Sequence, residues 1–229
     1  MIFNIPVGGN AKGLVTIYGA ANETVTLTSA KGVELSFAAN DGAAHEIPTG
    51  VYTVVGDKSQ YTKTVTVKKD TAKIEAWPDG ATIYYWYGYS PVGDWTNVAA
   101  LPKTSPYTNN PTKPVLEPSA NSVYMRSAGD YSRGGTCYLP ITEIYGDTLH
   151  LLCSGASNRY YLALSLTSSV SHLFEPTKVV DIATDDTEKT IDISDISGGS
   201  YYPAISFNTS GYSTGSKTSG LTVHALYSV

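Results

Sequence analysis

Short segments in which apolar and polar residues alternate strictly limit this chain to β-structure. In ETVTLTS, Val25 and Leu27 alternate with threonines, and YTKTVTV repeats the pattern around Val65 and Val67. A period of two places alternate side chains on opposite faces of a strand, so that one face is buried and the other faces water. No segment of the chain has a convincing helical period. The sequence therefore predicts an all-β protein.

Seven strand-like segments between Gly13 and Trp77 predict a first domain. They are GLVTIYG, ETVTLTS, VELSFA, AHEIP, VYTVVGD, YTKTVTV and AKIEAW. Glycines between them, as in Asp41-Gly42, supply the positive φ that hairpin turns need. The turn-forming stretch WPDGA follows, and a chain of 229 residues is long enough for two domains. We therefore predict a domain over residues 1–80 and a second over residues 81–229.

The second segment differs in composition and contains 15 of the 18 tyrosines and both cysteines. It opens with the ring-rich stretch TIYYWYGYSPVGDW, and then LPKTSPYTNNPTKPVLEP carries five prolines. Prolines cannot donate to a sheet, so this stretch is predicted to be an extended loop and not a central strand. The strand-like runs that follow are SVYMRS, TCYLPI, TLHLLC, RYYLALSLTS, TKVVDIA, KTIDIS, YYPAISFNT and GLTVHALYSV. Together they predict a jelly roll or a related sandwich.

The phrase IPTGVYTVVGD resembles carboxypeptidase-regulatory-like domains and collagen-adhesin B-type domains, which share a proline, a turn glycine and a VYTV strand. The resemblance implies a small Ig-like or prealbumin-like β-sandwich that serves as a spacer or anchor. Some adhesin domains of this type carry a Lys-to-Asn isopeptide bond with an acidic helper. Lys12 or Lys31 with Glu75 would be the nearest candidates, although no matching Asn lies on the last strand.

The closing pattern, KTIDISDISGGSYYPAISFNTSG followed by SGLTVHALYSV, resembles the last strands of jelly rolls in carbohydrate-binding modules and in appendage proteins of tailed bacteriophages. The start MIFN resembles short fibre and baseplate-associated phage proteins. These resemblances imply a virion structural protein of the tail or baseplate that contacts a host surface polysaccharide and other virion proteins. A capsid decoration protein without a recognition role and a bacterial carbohydrate-binding module are the alternatives.

Charge and hydropathy exclude two classes of partner. The net charge is −5 with a pI near 5.3, and no basic cluster exceeds Lys68-Lys69, so nucleic-acid binding and anionic membranes are not expected. No apolar run is long enough to span a membrane. MIFNIPVGGN has no basic leader, secretory apolar run or cleavage site. We therefore expect synthesis in the host cytoplasm and, from the phage resemblance, a place in the virion.

No catalytic constellation is found in the sequence, so the protein is predicted not to be an enzyme and to need no cofactor. The histidines are far apart and lack a metalloprotease or triad signature; they are His45, His150, His172 and His224. Acidic residues crowd one segment and favour surface turns over a metal site, with structural calcium as the alternative; they are Asp181, Asp185, Asp186, Glu188, Asp192 and Asp195.

The two cysteines, Cys137 and Cys153, have neither zinc-ligand nor redox-pair spacing. Two buried free thiols are therefore predicted, and a disulfide between neighbouring strands is the alternative.

The ring-rich stretch suggests a ligand platform. Strand alternation places Ile83, Tyr85, Tyr87 and Tyr89 on one face, which we predict to be core. Tyr84 and Trp86 then lie on the other face, where aromatic rings can stack on sugars while polar side chains bind the hydroxyls. The same composition also suits a protein-binding surface. The candidate ligand-binding residues are Trp86, Tyr89, Asp94, Trp95, Asn158 and Arg159, with Asn97 as a further polar partner.

The N-terminal stretch MIFNIPVGG predicts an assembly arm. Its apolar residues precede a glycine pair that would let the arm leave its own domain; they are Ile2, Phe3, Ile5 and Val7. Their burial would contribute roughly 1.5–3 kcal/mol per side chain. We therefore expect docking on another subunit and a homo-oligomer, with a first strand of its own sandwich as the alternative.

Overall fold

The computed structural model describes residues 11–93, 99–102, 115–126, 135–139, 142–155, 160–165, 177–182, 186–207 and 220–229. These ranges contain nineteen β-strands. They contain no helix, and hence none long and apolar enough to cross a membrane. The all-β class predicted from the sequence is confirmed. The chain divides into two compact units, Met1–Asp79 (unit 1) and Gly80–Val229 (unit 2).

Unit 1 is a sandwich of two sheets. Its strands are β1 (Lys12–Tyr18), β2 (Thr24–Ser29), β3 (Glu34–Ala38), β4 (Ala44–Pro48), β5 (Gly50–Gly56), β6 (Thr62–Val67) and β7 (Lys73–Glu75). One sheet has the order β4-β1-β7 and the other β3-β2-β5-β6. All pairs are antiparallel except β1 with β7. Each of the seven segments predicted between Gly13 and Trp77 overlaps one of these strands, and β1 and β5 begin one residue before their predicted segments.

The alternating pattern determines which side chains fill unit 1. Val15 and Ile17 of β1 are fully buried, as are Val25 and Leu27 of β2, and all four belong to one core cluster. The residues between them along each strand are exposed or half-buried. Full burial contributes roughly 1.5–3 kcal/mol for each such side chain. The period of two thus directs to the core the apolar side chains whose burial stabilises the sandwich.

One acidic side chain, Glu23, is buried inside unit 1 and is 1% exposed. Its Oε2 accepts a hydrogen bond from the Ala20 N–H at 2.7 Å. Its Oε1 accepts from the Ser59 N–H at 2.8 Å, the Ser59 hydroxyl at 2.7 Å and the Lys58 N–H at 3.2 Å. A Cβ at Gly56 would collide with this carboxylate, so a glycine is required there. Glu23 thereby ties the turn before β2 to the turn after β5.

The residues suggested for an isopeptide bond are not brought together. Lys12 Nζ pairs with Glu46 Oε2 at 2.6 Å, and both side chains are more than half exposed. Glu75 pairs with Lys73 at 2.7 Å, and Lys31 is exposed in the turn between β2 and β3.

Unit 2 contains two further sheets. Its strands are β8 (Thr82–Trp86), β9 (Ala99–Pro102), β10 (Val115–Pro118), β11 (Val123–Arg126), β12 (Gly135–Tyr138), β13 (Thr142–Ile144), β14 (Thr148–Ser154), β15 (Tyr160–Ser165), β16 (Lys178–Ile182), β17 (Glu188–Asp192), β18 (Gly199–Phe207) and β19 (Gly220–Ser228). One sheet has the order β10-β11-β19-β14-β17 with β8 also on β19. The other has the order β16-β15-β18-β12-β9 with β13 also on β18.

Strand β19 is the centre of its sheet. Along one side it pairs with β14 from Thr222 to Ser228. Along the other side, its first half pairs with β11 and its second half with β8. Three strands from distant parts of the chain, β8, β11 and β14, therefore pair with this one strand.

The proline-rich stretch begins in β9 and ends in β10, which lie at the ends of the described strand orders of their sheets. Pro102 and Pro118 are the last residues of these strands. This position agrees with the prediction that prolines exclude a central strand. Residues 103–114 lie outside the described residues.

The Cys153 thiol is free and packs in the core of unit 2. Burial raises its pKa to about 11. The backbone of Cys137 lies in β12, in the other sheet, and its side chain lies outside the described set.

We expect Cys153 to resist a thiol reagent such as DTNB at pH 8 in the folded protein. With the raised pKa, roughly one molecule in a thousand carries the reactive thiolate at that pH. Peptide mapping after labelling, with and without urea, checks this. Rapid labelling of Cys153 without urea would contradict its burial.

Candidate ligand-binding face

The ring-rich strand β8 does not keep the predicted alternation. Leu226 of β19 pairs with Tyr85, but the next residue, Tyr227, pairs with Ile83, so Tyr84 is an extra residue in a β-bulge. Tyr84 and Tyr85 consequently both enter the core cluster. The prediction that Tyr84 lies opposite to Tyr85 is wrong, because a bulge shifts the parity of every residue on one side of it.

Trp86 is 1% exposed and has no ring face open to a sugar. Its ring makes edge contacts with Tyr87, with centroids 5.4 Å apart, and with Tyr227, at 5.8 Å. The expectation that Trp86 forms an open platform is therefore corrected. The sequence prediction placed it on the face opposite the core but did not include the aromatic neighbours that cover it.

Tyr87, the residue after Trp86, is by contrast only half-buried. Trp86 and Tyr89 exchange two backbone hydrogen bonds of 2.8 Å, which closes a two-residue hairpin turn. Both central residues have positive φ, 40° at Tyr87 and 88° at Gly88, as in a type I′ turn. Glycine or asparagine is usual at such positions, and a bulky residue there costs about 1–3 kcal/mol. The turn presents the half-buried Tyr87 on the outer face of the sheet.

Tyr87 stacks on His224 of β19, with ring centroids 5.6 Å apart and planes 26° from parallel. His224 is the extra residue of a second bulge, where the pairing with β14 shifts between Leu152 and Cys153. Its Nε2 shares a hydrogen bond of 2.7 Å with the Ser154 hydroxyl. Burial lowers the pKa of His224, so its imidazole is neutral at pH 7.

A second stacked pair lies further along the same face. The rings of His150 and Tyr227 are 4.7 Å apart and within 4° of parallel. His150 Nδ1 lies 2.7 Å from Glu188 Oε1 on the neighbouring strand β17. The His150 side chain is 18% exposed and that of Glu188 is 47% exposed. This pair therefore presents a carboxylate to solvent beside an aromatic stack.

At the other end of β19, Tyr124 of β11 lies against Gly220. A Cβ at Gly220 would collide with the Tyr124 ring, so the ring rests directly on the backbone. We call the set of rings on this outer surface the aromatic face; it comprises Trp86, Tyr87, Tyr124, His150, His224 and Tyr227. Glu188 and Ser154 supply its polar groups.

The other predicted site residues are placed as follows. Tyr89 is half-buried in the turn. The remaining candidates, Asp94, Trp95, Asn97, Asn158 and Arg159, and the arm residues Ile2, Phe3, Ile5 and Val7, lie outside the described residues. The roles of those residues stay predictions. His150 and Glu188 were not selected as ligand residues from the sequence. The signal that was available is the alternation of TLHLLC, which puts His150 on the polar side of β14.

The acidic residues of the predicted cluster have separate partners. Asp186 pairs with Lys189 at 2.9 Å, Asp195 with Lys178 at 2.7 Å, and Glu188 with His150. Within the described ranges, no three acidic, histidine or cysteine side chains converge as metal ligands. Asp185 lies outside those ranges.

No protein-family model and no curated protein matches the chain. Several solved structures align with it at low identity. Carbohydrate-binding modules of the β-sandwich superfamily are 11% identical over 96% of this chain and 99% of theirs, with a TM-score of 0.40. The CBM22-1–CBM22-2 tandem domain of Paenibacillus barcinonensis Xyn10C is 12% identical over 96% of this chain and 74% of its own, with a TM-score of 0.32.

The third structure is the glycoside hydrolase domain of Endo-D from Streptococcus pneumoniae. It is 16% identical over 50% of this chain, with a TM-score of 0.37, and the chain covers 20% of its length. At these TM-scores the likenesses assign neither a ligand nor an activity to this protein.

Proposed function

We propose that unit 2 is a non-catalytic glycan-binding sandwich and that the aromatic face is its binding surface. The observation that carries the proposal is Tyr87, a bulky residue in a left-handed conformation at a turn. Stability favours glycine or asparagine at this position. A strained residue that holds a half-exposed ring over a neutral histidine is therefore better explained by binding than by folding.

The chemistry of the face suits a sugar. The apolar face of a pyranose can lie on the ring of Tyr87, while hydroxyls meet the polar groups around it. Ser154 and His224 offer one donor and acceptor pair, and Glu188 offers a half-exposed acceptor. A ring flanked by fixed polar groups orients a ligand at little entropic cost.

Replacement of Tyr87 by glycine is expected to weaken glycan binding by about tenfold or more, the usual effect of losing a central aromatic contact. The melting temperature should stay near that of the wild type, because the relieved backbone strain offsets the lost ring contacts. Glycan-array screening, titration calorimetry of the best ligand and a thermal melt check this.

The matched control is Tyr145→Ala, which removes a tyrosine that is 46% exposed in the turn after β13. Binding by this variant should equal wild-type binding. If Tyr87→Gly binds every array ligand as the wild type does, the aromatic face is not the binding surface.

The finer roles extend this proposal. Unit 1 would act as the anchor or spacer, and the whole protein as a phage tail or baseplate appendage that meets a host surface polysaccharide. Capsid decoration is the alternative location. Mass spectrometry of purified virions, with the position of the gene beside tail or head genes, separates these roles from a bacterial carbohydrate-binding module.

A further inference from the structure

Given glycan binding at the aromatic face, we infer that Glu188 and His150 make it selective for neutral and amino sugars over glycans that carry carboxylate, sulfate or phosphate groups. This ligand class follows from which atoms of the pair can still accept or donate hydrogen bonds.

The first step is the tautomer of His150. A carboxylate can only accept, so the 2.7 Å contact with Glu188 requires that Nδ1 carries the proton and donates it. In the neutral ring, Nε2 is then an acceptor with a free lone pair. Nε2 is buried, and no described group donates to it.

The second step is what can satisfy these atoms. Because Nε2 is closed to solvent, a ligand reaches the pair through the Glu188 carboxylate. Glu188 retains acceptor capacity on its half-exposed carboxylate. The pair therefore favours ligand groups that donate hydrogen bonds. A carboxylate, sulfate or phosphodiester has only acceptors and would lie against a like charge.

The third step is the absence of a compensating cation nearby. Among the described side chains of the sheet, Lys189 is bonded to Asp186 at 2.9 Å. The ammonium group of Lys189 is therefore already paired and does not compensate the charge of Glu188.

The test measures the affinity of the full chain for three groups of oligosaccharides at 150 mM salt. These are neutral hexoses and N-acetylhexosamines, a glucosamine oligomer, and acidic probes consisting of a galacturonate oligomer and a glycerol-phosphate polymer. We expect the wild type to prefer the first two groups by about tenfold or more over the acidic probes.

Two variants separate selectivity from affinity. Glu188→Gln is expected to reduce the preference to within about threefold, since the like charge is removed. His150→Phe keeps a ring on Tyr227 but removes the Nδ1–H donor that orients Glu188, so neutral-sugar affinity should fall about fivefold while the acidic probes stay rejected. Glu34→Gln, an exposed site in unit 1, makes the same change in net charge and should change nothing.

The outcomes distinguish this inference from the proposed function. Equal or tighter binding of acidic probes by the wild type overturns the selectivity but leaves glycan binding intact. The selectivity is also overturned, and glycan binding kept, if Glu188→Gln retains the full preference for neutral and amino sugars while its melting temperature equals that of the wild type. Failure of every group to bind overturns both.

Discussion

Glu23→Ala is expected to destabilise unit 1 by about 4 kcal/mol, a large part of the 5–15 kcal/mol that holds a typical domain folded. The variant leaves three backbone N–H groups and the Ser59 hydroxyl without their acceptor in a site that is closed to water. Each unsatisfied donor costs about 1–3 kcal/mol. Hydrogen exchange of β2 and β5 in increasing urea measures the loss.

Two further variants test the cause. In Glu23→Gln, an amide nitrogen at the Oε2 position would face the Ala20 N–H, donor against donor, so the loss should be about half as large. Glu46→Ala removes the exposed partner of Lys12 and should leave the unfolding midpoint unchanged. If Glu23→Ala and Glu46→Ala behave alike, the buried carboxylate does not hold the two turns together.

Trp86→Ala is expected to destabilise unit 2 by about 3–5 kcal/mol, the usual cost of removing a fully buried aromatic side chain. The loss combines the apolar area of the indole with the cavity that remains between Tyr87 and Tyr227. For a unit of this size the melting temperature should fall by roughly 6–20 °C. Calorimetry of the variant beside Tyr145→Ala measures it.

Trp86→Phe refines this prediction, because it keeps an aromatic ring at the site and should lose roughly half as much. If Trp86→Ala has the melting temperature of the wild type but no longer binds glycan, the Trp86 side chain is not buried in the way described. That result would restore Trp86 as an open platform.

Periodicity was sufficient to predict unit 1 because its strands are short, local and half-buried. Val25 and Leu27 lie in the core as their spacing requires, and each predicted segment overlaps a strand. Unit 2 was harder to predict. β13 has three residues, and β9 and β10 flank prolines, so none of the three carries a readable alternation. Burial of Glu23 could not be predicted, because acidic residues are rarely buried and three of its four donors come from the turn after β5.

The aromatic face was predictable only in part. The sequence placed Trp86 on the face opposite the core, where it lies, but it also assigned Tyr84 to that face and Tyr87 to the core. The bulge brings Tyr84 into the core, and the turn after Trp86 places Tyr87 on the outer face. Bulges leave no reliable trace in a single sequence. The contact of Ser154 with His224 joins residues 70 positions apart, and it depends on a strand register that the sequence does not reveal.

The central position of β19 determines when unit 2 can fold. Its pairing with β8 joins residues about 140 positions apart, and it is synthesised after every strand with which it pairs. Contacts of such high sequence separation slow folding, because the chain must lose loop entropy before they form. Unit 1, complete by Asp79, can fold while the ribosome is still extending the chain, whereas the sheet that carries the aromatic face cannot close until β19 has emerged. During that interval the unpaired edges of β8, β11 and β14 are exposed, and the nascent chain is most vulnerable to aggregation at this stage.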